Sequence, residues 1–180
     1  MNELNAGHFA EFFESIYGHP PFPWQQMLAE RALEQSWPEG IDLPTASGKT
    51  ACIDIAVFLL AMSEQAGRLH PDAVGRRRIF FVVDRRIVVD EAHRRARQLA
   101  KSLEDALKTD GSSVVCQVAR RLQKLTGTEH GKPLVASRLR GGTLLDNAWK
   151  LSPAQPAVVT GTVDQVGSRL LFRSYGSSVR

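Results

Sequence analysis

Gly48, Lys49 and Thr50 are the residues whose types and spacing most directly suggest chemistry. A short apolar run (41–43) leads into the loop Pro44-Thr45-Ala46-Ser47-Gly48-Lys49-Thr50, and a helix-forming apolar run (51–62) follows. Strand, glycine-containing loop and helix, in that order, are what a nucleoside triphosphate site needs. Main-chain amides of Thr45, Ala46, Ser47, Gly48, Lys49 and Thr50, together with the leading end of the helix, would face the phosphates. Lys49 would reach the β- and γ-phosphates, the Thr50 hydroxyl would sit on Mg²⁺, and Thr45 and Ser47 would add hydroxyl contacts. The general phosphate-loop pattern is missed at one place, because Leu43 stands where the first glycine belongs.

A second carboxylate-bearing motif is a decoy. Asp90-Glu91-Ala92-His93, preceded by Ile87-Val88-Val89, spells a metal-holding strand end. The strand-like run 79–83 ends only at Asp84-Arg85-Arg86, however, and two neighbouring parallel strands need a connection of about a dozen residues. Val89, Ala92, Ala96, Leu99, Leu103 and Leu107 instead recur at threes and fours, which is a helical period. Asp90 and Glu91 then fall in a helix's first turn, where acids suit the macrodipole, with Arg94, Arg95 and Arg97 on its exposed sides.

The elements that must position these residues alternate. Residues 3–17 read as a helix with Phe9, Phe12, Phe13, Ile16 and Tyr17 on one side, ended by the proline- and glycine-rich stretch 18–23. Residues 24–33 read as a second helix. Strand 41–43, the loop and a helix to about residue 66 come next; strand 79–83 and a helix to about residue 107 follow. Residues 114–118, 134–137 and 157–160 are strand candidates, and 163–172 a last helix. Alternation of this kind implies parallel pairing with right-handed crossovers. The expected fold is α/β, a parallel sheet flanked by helices. Residues 1–23 form a helical lead-in and 24–180 one lobe.

Composition sets bounds. The 180 residues carry a net charge of +4 and 43% hydrophobic residues, enough for one domain with a sizeable core and mildly favourable to an anionic partner. Cys52 and Cys116 lack metal-ligand spacing, and Cys52 in the apolar helix reads as a buried free thiol, so a reducing, cytoplasmic compartment is expected. No apolar run approaches the ~18 residues of a membrane span, and no leader is legible.

Four segments together resemble the first RecA-like lobe of a superfamily 2 helicase, a phosphate-loop NTPase domain. Pro23-Trp24-Gln25 resembles the glutamine motif that reads an adenine edge; Gln25 is the first choice and Gln26 stands close enough to take its place. Residues 44–50 resemble motif I, 80–86 motif Ia, and 158–165 the later strand-end motif that touches a nucleic-acid backbone. The wording of 82–90 and 161–173, with Leu139-Arg140-Gly141-Gly142, Asp146, Trp149 and Pro153, is similar to the helicase-nuclease of type I CRISPR systems, in its type I-G (formerly I-U) form. The resemblance spans most of residues 20–176.

That resemblance implies an ATP- and Mg²⁺-dependent motor on single-stranded DNA displaced by a CRISPR surveillance complex. It also implies Arg85, Arg86, Arg140, Gly141, Gly142 and Thr162 as DNA contacts at the carboxyl edge of the sheet. The family's HD nuclease, second lobe and motif II find no counterpart in these residues, so a truncated lobe with negligible turnover of its own is expected. A DEAH-type RNA helicase piece and a non-catalytic module that binds DNA or the surveillance complex are the competing expectations.

Overall fold

The computed structural model describes residues 4–63, 76–109, 111–139 and 152–170. Three strands, β1 (Arg78–Val83), β2 (Val135–Arg138) and β3 (Ala157–Thr162), form one parallel sheet in the order β1-β3-β2. Around it lie helices α1 (His8–Tyr17), α2 (Pro23–Glu34), α3 (Cys52–Met62), α4 (Arg86–Lys108), α5 (Val114–Lys124) and α6 (Val163–Leu170). The chain is therefore α/β with a parallel sheet flanked by helices, and no helix among the described residues is long and apolar enough to cross a membrane.

Apart from Asp54, helix α3 is apolar on every side. Ile53, Ile55, Val57, Phe58, Leu59, Leu60 and Met62 are all buried, as expected of a helix enclosed by others. The aromatic stripe of α1 packs on it: the Phe58 ring lies 5.6 Å from Phe9 and 5.4 Å from Phe12. Helix α4 follows its sequence period, burying Val89, Ala92, Ala96, Leu99 and Leu103. It begins at Arg86, earlier than the acids suggested, so Asp90 and Glu91 lie in its second turn.

Two expected strands are absent. Residues 114–118 lie in α5, because Val114, Val115, Val118, Ala119 and Leu122 bury one helical face and the Ser113 hydroxyl caps the helix by accepting the Cys116 N–H at 3.2 Å. Residues 41–43 take no strand pairing, and Ile41 is exposed, so the loop 44–50 is entered from an irregular segment rather than from the sheet.

In the sheet, parallel register sets the faces. Ile79, Val158 and Ala136 share one face and join the common core, to which α1 also belongs. On the other face Gly161 brings α6 close; an added Cβ would meet Val166 Cγ2 at 3.3 Å and Leu139 Cβ at 3.2 Å. All three strands present their carboxyl ends at one edge, where open α/β sheets place ligands.

Candidate nucleotide loop and strand-end cleft

Residues 45–50 form an exposed loop that passes through a 3-10 turn, Lys49–Ala51, into α3. Two of its residues are left-handed: Ala46 has φ 60° and Gly48 φ 74°. Left-handed residues set within a turn point successive amides to one side, which makes an anion-binding concavity. Ala46 is the less expected of the two, since a side chain at positive φ carries a steric cost of ~1–2 kcal/mol. The Ser47 hydroxyl donates to the Pro44 carbonyl at 2.8 Å and braces the bend.

The start of α2 clasps this loop. Pro23 opens the helix, where its missing N–H costs nothing. The Trp24 indole N–H donates to the Ser47 carbonyl at 2.9 Å, and the Gln25 amide donates to the Gly48 carbonyl at 3.1 Å. Gln25 Oε1 accepts the Phe22 N–H at 2.9 Å. Gln25 is only 2% exposed and Gly48 fits tightly: a Cβ there would lie 2.9 Å from Gln25 Nε2 and 3.1 Å from the Phe22 ring. Gln26, the alternative, turns away from the loop, donating to the Ala6 carbonyl ahead of α1 at 3.3 Å and to Glu30 Oε1 of its own helix at 2.7 Å. Gln25 is thus the glutamine that reaches the loop. Its amide holds the loop's backbone, and one N–H and one lone pair are left over for a further partner.

Lys49 is exposed and Thr50 half-buried at the head of the 3-10 turn. A cradle that excludes a Cβ, two left-handed residues and a free-standing lysine fit a chain of phosphates, with Thr50 the residue able to offer a hydroxyl to an accompanying Mg²⁺.

A small open cleft lies at the carboxyl ends of the strands. It is lined by Arg86, Val89 and Asp90 of α4, Arg138 and Leu139 at the end of β2, Thr162 at the end of β3 and Gln165 of α6. Arg138 Nη1 donates to Asp90 Oδ1 at 2.5 Å, with both side chains part-exposed. Two of the residues expected to contact DNA, Arg86 and Thr162, meet here. Arg85 is exposed beside Asp84, 4.0 Å away, and is not among the cleft's lining residues. Arg140, Gly141 and Gly142 lie outside the described residues. Arg138 was not singled out from sequence, although the strand-end rule that selected Arg86 applies equally to the last residue of β2; Asp90 was read as a structural acid and Gln165 only as the end of the segment 158–165.

Arg95 corrects another expectation. It turns inward from α4, its Nε donating to Asp54 Oδ2 at 2.5 Å, while Arg94 and Arg97 are exposed as expected. The Tyr17 hydroxyl donates to Asp54 Oδ1 at 2.5 Å. Burial pushes the Asp54 carboxyl above its ordinary range, against the opposing pull of the Arg95 charge and the Tyr17 hydrogen bond. Burial, then the Asp54 charge, also raises the Tyr17 phenol and the Cys52 thiol. Cys52 and Cys116 are both free, Cys116 buried and Cys52 half-buried.

Comparison with known proteins returned no match to a protein-family model, a curated protein or a solved structure.

Proposed function

We propose that this chain is the ATP-binding, RecA-like lobe of an ATP-dependent single-stranded-DNA translocase or helicase, of the kind found in type I CRISPR interference. One observation carries the reading: the Gly48-Lys49-Thr50 loop, bent by two left-handed residues, clasped by Trp24 and Gln25 and followed by the apolar helix α3. In this reading the loop amides and Lys49 hold the nucleotide's phosphates, Thr50 holds Mg²⁺, and Gln25 uses its remaining amide capacity toward the base. Mg²⁺ would neutralise charge on the phosphates. Arg86, Arg138 and Thr162 in the strand-end cleft contact the DNA backbone, with salt-dependent attraction from the arginines. Arg140, Gly141 and Gly142 extend that surface in sequence.

A second reading is nucleotide or DNA binding without turnover. The placement of Asp90 favours it: the acid sits within α4 and pairs with Arg138, rather than ending a strand beside the loop. Phosphate release with and without short single-stranded DNA separates the two. The account expects this chain to bind Mg-ATP with negligible release. Release that DNA stimulates and Lys49→Ala abolishes would establish hydrolysis. Nucleotide uptake unchanged by Lys49→Ala contradicts both readings.

A further inference from the structure

Asp54 takes no part in the phosphate-loop reading, yet its side chain is completely buried in the first turn of the helix that the loop feeds. Tyr17 from α1 and Arg95 from α4 both donate to it, at 2.5 Å each. The Arg95 guanidinium lies 4.2 Å over the Tyr17 ring and 5.3 Å over the Phe13 ring. Three helices therefore converge on one carboxylate.

Such a cluster is poor support for stability in itself, because removing two charges from water costs about what their attraction returns. Its contribution is directional. The remaining cover of α3 is apolar on all sides, and apolar burial is non-directional, so it limits a helix's rotation and slide only loosely. Hydrogen bonds to a single carboxylate fix both. Asp54 stands four residues beyond Thr50, so any shift of α3 at Asp54 is passed directly to the loop. On the loop's other flank Trp24 and Gln25 hold the Ser47 and Gly48 carbonyls. The loop is strung between two directional clamps.

We propose that Asp54 is a positioning residue for the nucleotide loop: held by Tyr17 and Arg95, it sets the rotation and height of α3 and so the presentation of Lys49 and Thr50. The inference rests on the nucleotide reading above and adds to it a specific buried determinant of affinity. Small displacements of binding groups are costly, about a hundredfold for 1 Å in a reacting site.

Trp24 supplies the readout, since its indole donates to the loop. In a Trp37→Phe, Trp149→Phe background, Trp24 emission is titrated with Mg-ATP, and thermal unfolding is followed in parallel. Asp54→Asn and Tyr17→Phe are each expected to weaken nucleotide binding about tenfold. The double variant should weaken binding by less than the two single effects multiplied, because the phenol acts through the side chain at position 54. Leu103→Val, a core change distant in sequence from the loop, is expected to lower the unfolding temperature with nucleotide affinity unchanged. A folded Asp54→Asn that binds like the parent, or an affinity that tracks unfolding temperature through every variant including Leu103→Val, overturns the positioning role. Tyr17→Phe keeps the aromatic ring and removes one hydrogen bond, so it carries the test if Asp54→Asn does not fold. A parent protein with no nucleotide response overturns the nucleotide reading and this inference together; a responsive parent with indifferent Asp54→Asn and Tyr17→Phe overturns this inference alone.

Discussion

Replacing Gly48 with alanine should damage the loop through two separable effects. Gly48 has φ 74° and ψ 31°, a left-handed conformation that costs a residue with a Cβ about 1–2 kcal/mol. The new Cβ would also lie 2.9 Å from Gln25 Nε2, and Gln25 is 2% exposed, so the amide cannot yield without leaving the Gly48 carbonyl. Leaving a buried amide unsatisfied costs about 1–3 kcal/mol. The sum is about 2–5 kcal/mol. For a chain of this size each 1 kcal/mol moves the unfolding temperature by about 2–4 °C, so a fall of about 4–20 °C is expected. Gly127 provides the comparison: its φ is 73°, but nothing lies within 4 Å of a Cβ built there. Gly127→Ala should therefore lose only the conformational part, ~1–2 kcal/mol. Denaturant unfolding of the two variants isolates the Gln25 and Phe22 contacts as their difference. Equal losses in the two would refute the claim that Gln25 clasps the loop.

Leu103→Ala empties a fully buried site on α4 and should cost about 2–5 kcal/mol in denaturant unfolding. The raised Asp54 pKa makes a prediction of definite sign. The folded chain holds the Asp54 proton more tightly than the unfolded chain does, so this group's contribution is fully present below the ordinary aspartate value and is lost as pH rises through the raised one. Parent minus Asp54→Asn stability should accordingly fall as pH rises from about 4, and a flat difference would contradict the shift. In the strand-end cleft, Arg138→Ala should weaken single-stranded DNA binding and reduce the salt slope by about 1, whereas Asp90→Asn, which frees Arg138 from its 2.5 Å partner, should strengthen it. Fluorescence anisotropy at several salt concentrations checks both, and identical salt slopes for parent and Arg138→Ala would remove Arg138 from the interface.

Periodicity was the most legible signal in this sequence. It identified α4 correctly against a motif that spelled something else, because the recurrence of Val89, Ala92, Ala96, Leu99 and Leu103 reports burial of a face, and burial stabilises a helix more than any short string of letters. It failed where composition was allowed to outweigh it. Val114, Val115 and Val118 are β-branched and read as a strand, although the same residues with Ala119 and Leu122 trace a helical face. Arg95 was assigned to the surface by its charge, yet it stands three residues after Ala92 and four before Leu99, on the inward side. Residues 41–43 looked like a strand by apolarity alone; three residues with an exposed Ile41 and no pairing partner among the described residues do not make one. The clasp of Trp24 and Gln25 on the loop was legible only in part, since spacing brought neither residue near Gly48; the contact arises from tertiary packing of α2 against α3. The Asp54 cluster carried a single local signal, an acid alone in an otherwise apolar helix.

The central claim is that residues 45–50 grip the phosphates of a purine nucleotide, and isothermal calorimetry of the folded chain with Mg-ATP tests it most directly. Saturable one-to-one uptake in the parent, lost in Lys49→Ala while both proteins unfold at similar temperatures, is the result expected. Folded parent protein that takes up no Mg-ATP, or that takes it up equally well without the Lys49 ammonium, would contradict it.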